Sequence, residues 1–319
     1  IIFIIPFLNQ PFTEEEEEKS IKFEPIVFKF LRGYPLIQYN LAKVLFNGNF
    51  TTYEVIIIFM YTFLEKDVIF FSENIELLSL TINTYQNLNF PLNDQTYYYI
   101  NTSGSYENYK RGNSNFVGSV LTSMIGINDR YRDNYMSECT HKIKEHLAID
   151  LDSGKIYQVQ DPDDKGSTGK NILFFDFVKR ICKGREENGQ TILERGFKSL
   201  NNELNKCLDT LSNNRDCRDK KLLDYNKTIN EINLRIQECF YRFINIVSIY
   251  FYKKLKIKIS TASSKDSPIS TEILFDRYAT KDFNEEEKYF IDEFKDTTKF
   301  QSFIIGFVQS YKSIDLYKI

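Results

Sequence analysis

The stretch of sequence that decides the fold is residues 51–88, TTYEVIIIFMYTFLEKDVIFFSENIELLSLTINTYQNL. Thr51 or Thr52 is suited to cap a helix that continues to Leu64, because a threonine hydroxyl accepts a hydrogen bond from an amide of the first turn. Charged residues end this helix. The apolar run Val68–Phe71 then predicts a short buried strand.

A second helix is predicted directly after that strand. Asn74 is suited to cap it, since asparagine is among the best N-cap residues. Its apolar residues recur at helical spacing, at Ile75, Leu78, Ile82 and Tyr85. A strand between two helices is a building unit of α/β sheets, so this stretch predicts an α/β sheet layer.

The segments that follow predict further strands of the same sheet. They are Tyr97–Ile100, Phe116–Val120, His146–Asp152 and Lys155–Val159. The polar stretch Asn101–Asn115 predicts a loop between the first two, and Ser153-Gly154 predicts a two-residue hairpin turn between the last two. The expected fold class is α/β, with a central mixed sheet flanked by helices and a helical C-terminal region after it.

The two ends of the chain differ from this central region. Ile1–Phe7 predicts a strand, and the acidic run Glu14–Glu18 predicts a solvated linker, with an acidic docking site as the alternative. A polar loop at Gln160–Gly169 precedes a mostly helical region. Two apolar stripes predict long helices there, one at Leu193, Phe197, Leu200, Leu204, Leu208 and Leu211 and one at Ile229, Ile232, Ile236, Phe240, Phe243, Val247 and Phe251.

A last helix is predicted to begin near Asn284, after a polar loop at Ser260–Ser270. It carries Phe290 and Phe294. The predicted core residues of the terminal region are Phe294, Phe300 and Phe303. We divide the chain into an N-terminal strand and acidic linker at residues 1–20, a central α/β lobe at 21–160 and a mostly helical region at 161–319.

Composition narrows the classes of function. The chain has 319 residues with a net charge of −3 and a pI near 5.7, which disfavours nucleic acid as a partner. Its five cysteines are an odd, widely spaced set, which indicates a reducing cytosol. Sequons at Asn49, Asn101 and Asn226 would indicate secretion only behind a signal peptide, and we expect none. Because the first residue is not Met, we expect a part of a longer protein.

Two sequence features raise the question of a membrane. The apolar run Val55–Leu64 would span only about 15 Å as a helix, half of the roughly 30 Å hydrocarbon core, so we expect a buried element of the fold. Basic residues alternate with apolar ones at Lys253, Lys254, Lys256 and Lys258. They predict an exposed strand or helix end, with contact to anionic lipid head groups as the alternative.

Patterns that carry catalysis are missing from the sequence. Two segments resemble phosphate loops, but Ile149 and Asp164 stand where the first glycine is needed. The only histidines, His141 and His146, are spaced so that a helix would turn them to different faces. Adjacent carboxylates fall on predicted helix surfaces, as at Glu286/Glu287 and Asp292/Glu293. We therefore expect no catalytic residue, no metal and no cofactor, and a partner that carries the chemistry.

The deciding stretch resembles the centre of a DENN domain. That family has an apolar helix ending in Leu-Glu and a basic residue, a short apolar strand, then Ser and a leucine-rich helix. Here Leu64-Glu65-Lys66, Val68–Phe71 and Ser72 with Glu73–Thr81 follow that order. Further segments match in sequence order, at Phe90-Pro91, Tyr97–Ile100, Phe116–Val120, Ala148–Asp152, Ile236–Phe243 and Asp292–Ile304.

The sequence departs from the family pattern at three places. Leu92-Asn93-Asp94 replaces the usual tryptophan, and Asn101 and Thr102 replace the prolines of the following strand. The longin-like module that precedes DENN domains is represented at most by Ile1–Phe7. Since DENN proteins hold their GTPase between that module and the main domain, we expect this segment alone to have impaired activity.

The resemblance implies a guanine-nucleotide exchange factor for a Rab-type small GTPase in membrane trafficking. It implies a cytoplasmic regulator without catalytic residues of its own, peripheral on endomembranes and in complexes with other DENN or longin proteins. Its partner surface is expected near Ser72, Glu73, Asn74 and Leu77, with simple helix capping by Ser72 and Asn74 as the alternative. A DENN-superfamily scaffold or GTPase-activating protein is the alternative function, and an interaction module unrelated to GTPases is a third.

Overall fold

The structure is a computed structural model, and its described residues form two compact units. The structure describes residues 18–23, 26–31, 39–89, 92, 97–100, 123–133, 146–159, 192–215, 229–247 and 285–300. One unit draws on residues between Ile37 and Lys183 and on Asn201–Gln237; the other draws on residues before Leu36, on Gly184–Leu200 and on those after Glu238. The predicted division of the chain at residues 20 and 160 stays a prediction.

Helices α1 (Leu41–Leu45) and α2 (Thr52–Phe63) open the first unit. Thr51 caps α2, as predicted: its hydroxyl accepts from the Glu54 amide at 3.3 Å, and the Glu54 carboxylate accepts from the Thr51 amide at 2.7 Å. This reciprocal capping box satisfies two amides that the first turn leaves unpaired. Nearly all of α2 is buried, which confirms the expectation for Val55–Leu64.

Strand β3 (Val68–Ser72) and helix α3 (Ile75–Leu88) follow, and both were predicted. Asn74 caps α3, because its carboxamide oxygen accepts from the amides of Glu76 and Leu77 at 2.9 and 3.2 Å. Of the predicted apolar stripe, Leu78, Ile82 and Tyr85 are buried. The first member, Ile75, is 49% exposed at the start of the helix.

A mixed sheet lies at the centre of this unit. Its other strands are β4 (Tyr97–Ile100), β5 (Ser123–Asn128), β6 (His146–Asp150) and β7 (Lys155–Val159). The order is β4-β5-β3-β6-β7, with parallel pairing from β4 to β6 and an antiparallel β6–β7 hairpin. Helix α3 packs on β3, β4 and β5, and α2 contacts β3 and α3, so the α/β class with helices against a mixed sheet is confirmed.

The β6–β7 hairpin corrects one prediction. Strand β6 ends at Asp150, and the turn covers the four residues Leu151–Gly154 instead of Ser153-Gly154 alone. The turn is longer because the Asp150 carboxylate accepts from two amides within it and so takes them out of the strand ladder. Gly154 has a φ of 67°, a conformation that glycine adopts without steric cost, and its amide donates to the Asp150 carbonyl.

Polar side chains join distant segments of this unit. The Asn233 carboxamide accepts from the Leu41 amide at 2.9 Å and donates to the Tyr39 carbonyl at 2.6 Å. The Thr52 hydroxyl lies 2.8 Å from the Asn201 side-chain oxygen. Both asparagines belong to helices that come long after the sheet in sequence. These bonds therefore fix the start of α1 and of α2 to helical segments that the sequence places far away.

Three further helices are described, α4 (Ile192–Arg215), α5 (229–247) and α6 (Glu285–Lys295). Buried members of the predicted stripes include Leu193, Phe197, Leu200, Leu204, Ile232, Ile236, Phe240, Phe243 and Val247. Phe197 lies 4.6 Å from Phe243 between ring centroids, and Phe294 lies 5.3 Å from Phe300. Phe294 and Phe300 are thus buried, as predicted; the helical character of 161–319 as a whole stays a prediction.

Strands β1 (Glu18–Phe23) and β2 (Ile26–Leu31) form a separate antiparallel pair in the second unit. The predicted linker is wrong at Glu18, which is the first residue of β1 and pairs with Leu31. Among the helices described, none has both the length and the apolar character needed to cross a bilayer.

Several predictions concern residues outside those described. They are the strands at Ile1–Phe7 and Phe116–Val120, the linker at 14–17, the loops at Asn101–Asn115, Gln160–Gly169 and Ser260–Ser270, the basic residues from Lys253 to Lys258, and the side chains of His141, Phe251 and Phe303.

Candidate functional site

The carboxyl ends of three parallel strands meet at one edge of the sheet. Ser72 ends β3 opposite Asn128, the last residue of β5, and Phe71 pairs with Asp150 at the end of β6. Open α/β sheets bind their ligands at this edge. We call the polar group here the carboxyl-edge cluster: Ser72, Glu73, Asn128, Asp129, Arg132, Asp150, Asp152 and Ser153.

Asp150 organises one half of the cluster. Its carboxylate is 2% exposed and accepts from the amides of Asp152 and Ser153, both at 3.0 Å, and from the Ser153 hydroxyl at 2.6 Å. It also pairs with the Arg132 guanidinium. Burial alone raises the pKa of Asp150, but the Ser153 hydrogen bonds and the Arg132 charge together hold that pKa below its ordinary value.

Arg132 connects β6 to the turn after β5. Besides Asp150, its guanidinium pairs with Asp129 at 3.1 Å and with Asp133 at 3.7 Å. Burial alone lowers the pKa of Arg132, but these carboxylates raise it above its ordinary value. The pKa of Asp129 is raised, chiefly by burial, and the nearby Arg132 offsets only part of that effect. The arginine is thus committed to acids of its own chain.

Asp152 organises the other half of the cluster. One carboxylate oxygen accepts from the Ser72 hydroxyl at 2.8 Å, and the other accepts from the Glu73 amide at 2.7 Å. The Ser72 oxygen in turn accepts from the Asn74 amide at 2.9 Å. From the opposite side, the Asn128 carboxamide reaches the Glu73 carbonyl at 3.5 Å. We call Ser72–Asn74, from the end of β3 to the first turn of α3, the β3–α3 loop. These bonds tie the loop to the end of β5 and to the turn that follows β6.

The four residues predicted to bind a partner occupy this loop and the first turn of α3. Ser72 is fully buried, so its hydroxyl holds the loop from inside. Glu73 and Asn74 are exposed, and Leu77 is half-buried. The capping role that was the alternative for Asn74 is present, and Ser72 contributes through its bond from the Asn74 amide.

Reasoning from sequence missed the residues that hold the loop. Asp150 and Asp152 were assigned to strand β6, and Arg132 and Asn128 belonged to no predicted element. One signal was available: Asp150-Leu151-Asp152-Ser153-Gly154 places two acids and a glycine directly after an apolar strand, where a turn built on side-chain hydrogen bonds is expected.

Most polar groups of the cluster are bonded to one another. The segment Ser153-Gly154-Lys155, which resembles part of a phosphate loop, covers the end of the β6–β7 turn and the first residue of β7, and the Ser153 and Gly154 amides donate to Asp150. In the described ranges no group of three or more His, Cys, Asp or Glu side chains is arranged to hold a metal ion. Cys207 and Cys239 are buried thiols in helices α4 and α5.

A cleft lies elsewhere in the same unit. An open cleft of about 470 Å³ separates the first turns of α2 from the start of β7 and is lined by Thr51, Tyr53, Glu54, Ile57, Lys155 and Tyr157, among others. It is shallow and mixed in polarity, so the carboxyl edge remains the better candidate site. No family model matches the sequence, and no curated protein does so at a significant level.

Proposed function

We propose that this protein is a guanine-nucleotide exchange factor for a Rab-type small GTPase and acts in membrane trafficking, in the cytoplasm and peripherally on endomembranes. The observation that carries the proposal is the ordered series of DENN-like segments from Phe63 to Ile304. Two of them support the proposal: Val68–Phe71 lies in strand β3, and most of Glu73–Thr81 lies in helix α3, the kinds of element that the family pattern has at these places.

The proposed activity needs no catalytic side chain. A small GTPase holds its nucleotide and Mg²⁺ through its phosphate loop and its switch loops. A factor that binds the nucleotide-free form more tightly must, by reciprocity, weaken nucleotide binding by the same factor. What the factor requires is a surface that displaces the switches, and such a surface needs shape and anchoring groups instead of an acid, a base or a nucleophile.

The β3–α3 loop and the first turn of α3 offer such a surface. Glu73 and Asn74 are exposed, and Ile75 presents about half of its apolar surface beside them. Hydrogen bonds to the Asp152 carboxylate hold the loop, one from the buried Ser72 hydroxyl and one from the Glu73 amide. An apolar anchor within a polar rim, on a pre-ordered backbone, is the usual anatomy of a protein-binding surface.

The test is nucleotide release. The full-length protein at micromolar concentration is mixed with each Rab of its organism loaded with a fluorescent GDP analogue, and the loss of fluorescence is followed with excess GTP. We expect faster release from at least one Rab, and tighter binding of that Rab when it is empty than when it holds GDP. If no Rab releases its nucleotide faster, the exchange proposal is wrong.

One observation favours the alternative of a DENN-superfamily scaffold or activating protein. Arg130 is exposed, with its guanidinium 4.5 Å from the centre of the Tyr131 ring, whereas Arg132 is held by three carboxylates. A GTPase activator supplies an arginine to the transferring phosphate. The same panel loaded with GTP separates the two functions: an activator speeds hydrolysis and loses that effect in Arg130→Ala, and a scaffold binds without changing either rate.

A further inference from the structure

We infer that Asp152 is a positioning residue for the partner surface: it holds the β3–α3 loop in the conformation that the GTPase binds. This inference rests on the proposed function for the identity of the partner. Asp152 lies in the β6–β7 turn, and the loop that it holds lies 80 residues earlier in the chain. No other described side chain bonds to two successive residues of that loop.

The geometry uses both oxygens of one carboxylate. One oxygen accepts a hydrogen bond from the Ser72 hydroxyl at 2.8 Å, and the other accepts one from the Glu73 amide at 2.7 Å. Because the Ser72 oxygen also accepts from the Asn74 amide, a single side chain sets the backbone of three consecutive residues. Hydrogen bonds to an ionised acceptor are about twice as strong as neutral ones, so this contact outweighs ordinary loop contacts.

Asp152 is itself held in place. Its amide donates to the Asp150 carboxylate, which in turn pairs with Arg132. The Asp152 side chain is nevertheless exposed, and the neighbouring strands β3 and β6 are held together by their own backbone pairing. Its side chain therefore orders the loop without carrying the core. Ordering a binding loop before the partner arrives removes an entropic cost from association, so the effect should appear in partner binding more than in stability.

The matched variants are Asp152→Asn and Asp209→Asn. Asparagine at 152 keeps one oxygen for Ser72, but its NH₂ group cannot accept from the Glu73 amide. Asp209 is an exposed carboxylate on α4 that belongs neither to the loop nor to the carboxyl-edge cluster, so its variant makes the same change of charge at a separate site. Both are made in the full-length protein. Three quantities are measured: hydrogen exchange of the Glu73 amide, the melting temperature, and stimulation of GDP release from the responsive Rab.

For Asp152→Asn we expect the Glu73 amide to exchange roughly five- to tenfold faster and the stimulation to fall by a similar factor. We expect the melting temperature to stay close to that of the wild type, and Asp209→Asn to behave like the wild type in all three measurements. If the Glu73 amide exchanges at the wild-type rate in Asp152→Asn, the hydrogen bond from Glu73 to Asp152 does not hold the loop. Faster exchange with unchanged stimulation would overturn the positioning role and leave the proposed function standing. If the wild-type protein stimulates no Rab, the proposed function fails, and the positioning of a GTPase surface fails with it, whatever the Glu73 amide does.

Discussion

One isoleucine and one leucine side chain, which are similarly exposed, provide a test at the scale of single residues. Ile75 is 49% exposed at the start of α3, and Leu234 is 57% exposed on α5. Only Ile75 adjoins the proposed partner surface. Since truncating a central anchor of an interface typically costs 2 kcal/mol or more, we expect Ile75→Asp to reduce the stimulation of GDP release by about 30-fold.

The control for that prediction is Leu234→Asp, which places the same charge at an apolar position of similar exposure on a different helix, α5. It should keep the stimulation of the wild-type protein. Equal losses in the two variants would mean that the effect comes from general destabilisation, and no loss in either would remove Ile75 from the partner surface.

The Asp150 carboxylate predicts how stability depends on pH. Its pKa in the folded chain lies below the ordinary value of about 3.9, so its contribution is present above that value and is lost as the pH falls through the lowered pKa. We expect Asp150→Asn to lower the unfolding free energy by about 1–3 kcal/mol at pH 7 and by less near pH 3. Urea unfolding between pH 7 and pH 3 measures both, and an equal loss at every pH would contradict this assignment.

Two glycines test packing at the scale of secondary-structure elements. A Cβ at Gly126 in β5 would lie 3.1 Å from the Ile82 side chain and 3.3 Å from Leu78 Cβ, on the face that α3 covers. We expect Gly126→Ala to destabilise the fold by about 1–3 kcal/mol, because α3 must move away from the sheet. The measurement is chemical unfolding.

The matched variant is Gly196→Ala in α4. Its Cβ would meet Phe243 and Ile246 at 3.5 Å, an ordinary contact, and alanine is the better helix former by up to about 1 kcal/mol. It should therefore leave stability unchanged or raise it. If Gly196→Ala loses as much unfolding free energy as Gly126→Ala, the close approach of Gly126 to α3 does not explain the destabilisation by Gly126→Ala.

The elements that sequence reasoning predicted are those specified by local signals. Thr51, Asn74 and the apolar spacing between them are sufficient to place α2, β3 and α3. The length of the β6–β7 turn was predicted wrongly because a side chain, Asp150, sets it. The pairing of Arg132 with Asp150 was not predicted at all, since Arg132 follows β5 and Asp150 ends β6, and the two meet only once the sheet is paired.

At the scale of the whole molecule, the chain is expected to act through a partner and to bind no nucleotide itself. The Ser153 and Gly154 amides, which would have to face a phosphate, are bonded to Asp150. Ile149 and Asp164 occupy the glycine positions of the two phosphate-loop candidates. Calorimetry with ATP and GTP should show no heat of binding at micromolar to millimolar nucleotide, and a dissociation constant in the micromolar range would contradict this expectation.

The central position of β3 also has a consequence for synthesis of the chain. All five of its side chains are buried, and the contact between Ser72 and Asp152 joins residues 80 positions apart. At about 5–20 residues per second, a ribosome needs roughly 4–16 s to deliver β6 after β3 has emerged. Throughout that interval β3 lacks at least one of its two neighbouring strands, β5 and β6. The apolar segment 55–71 is therefore incompletely covered, so the nascent chain should require chaperone protection, and its yield should improve when translation is faster or chaperones are more abundant.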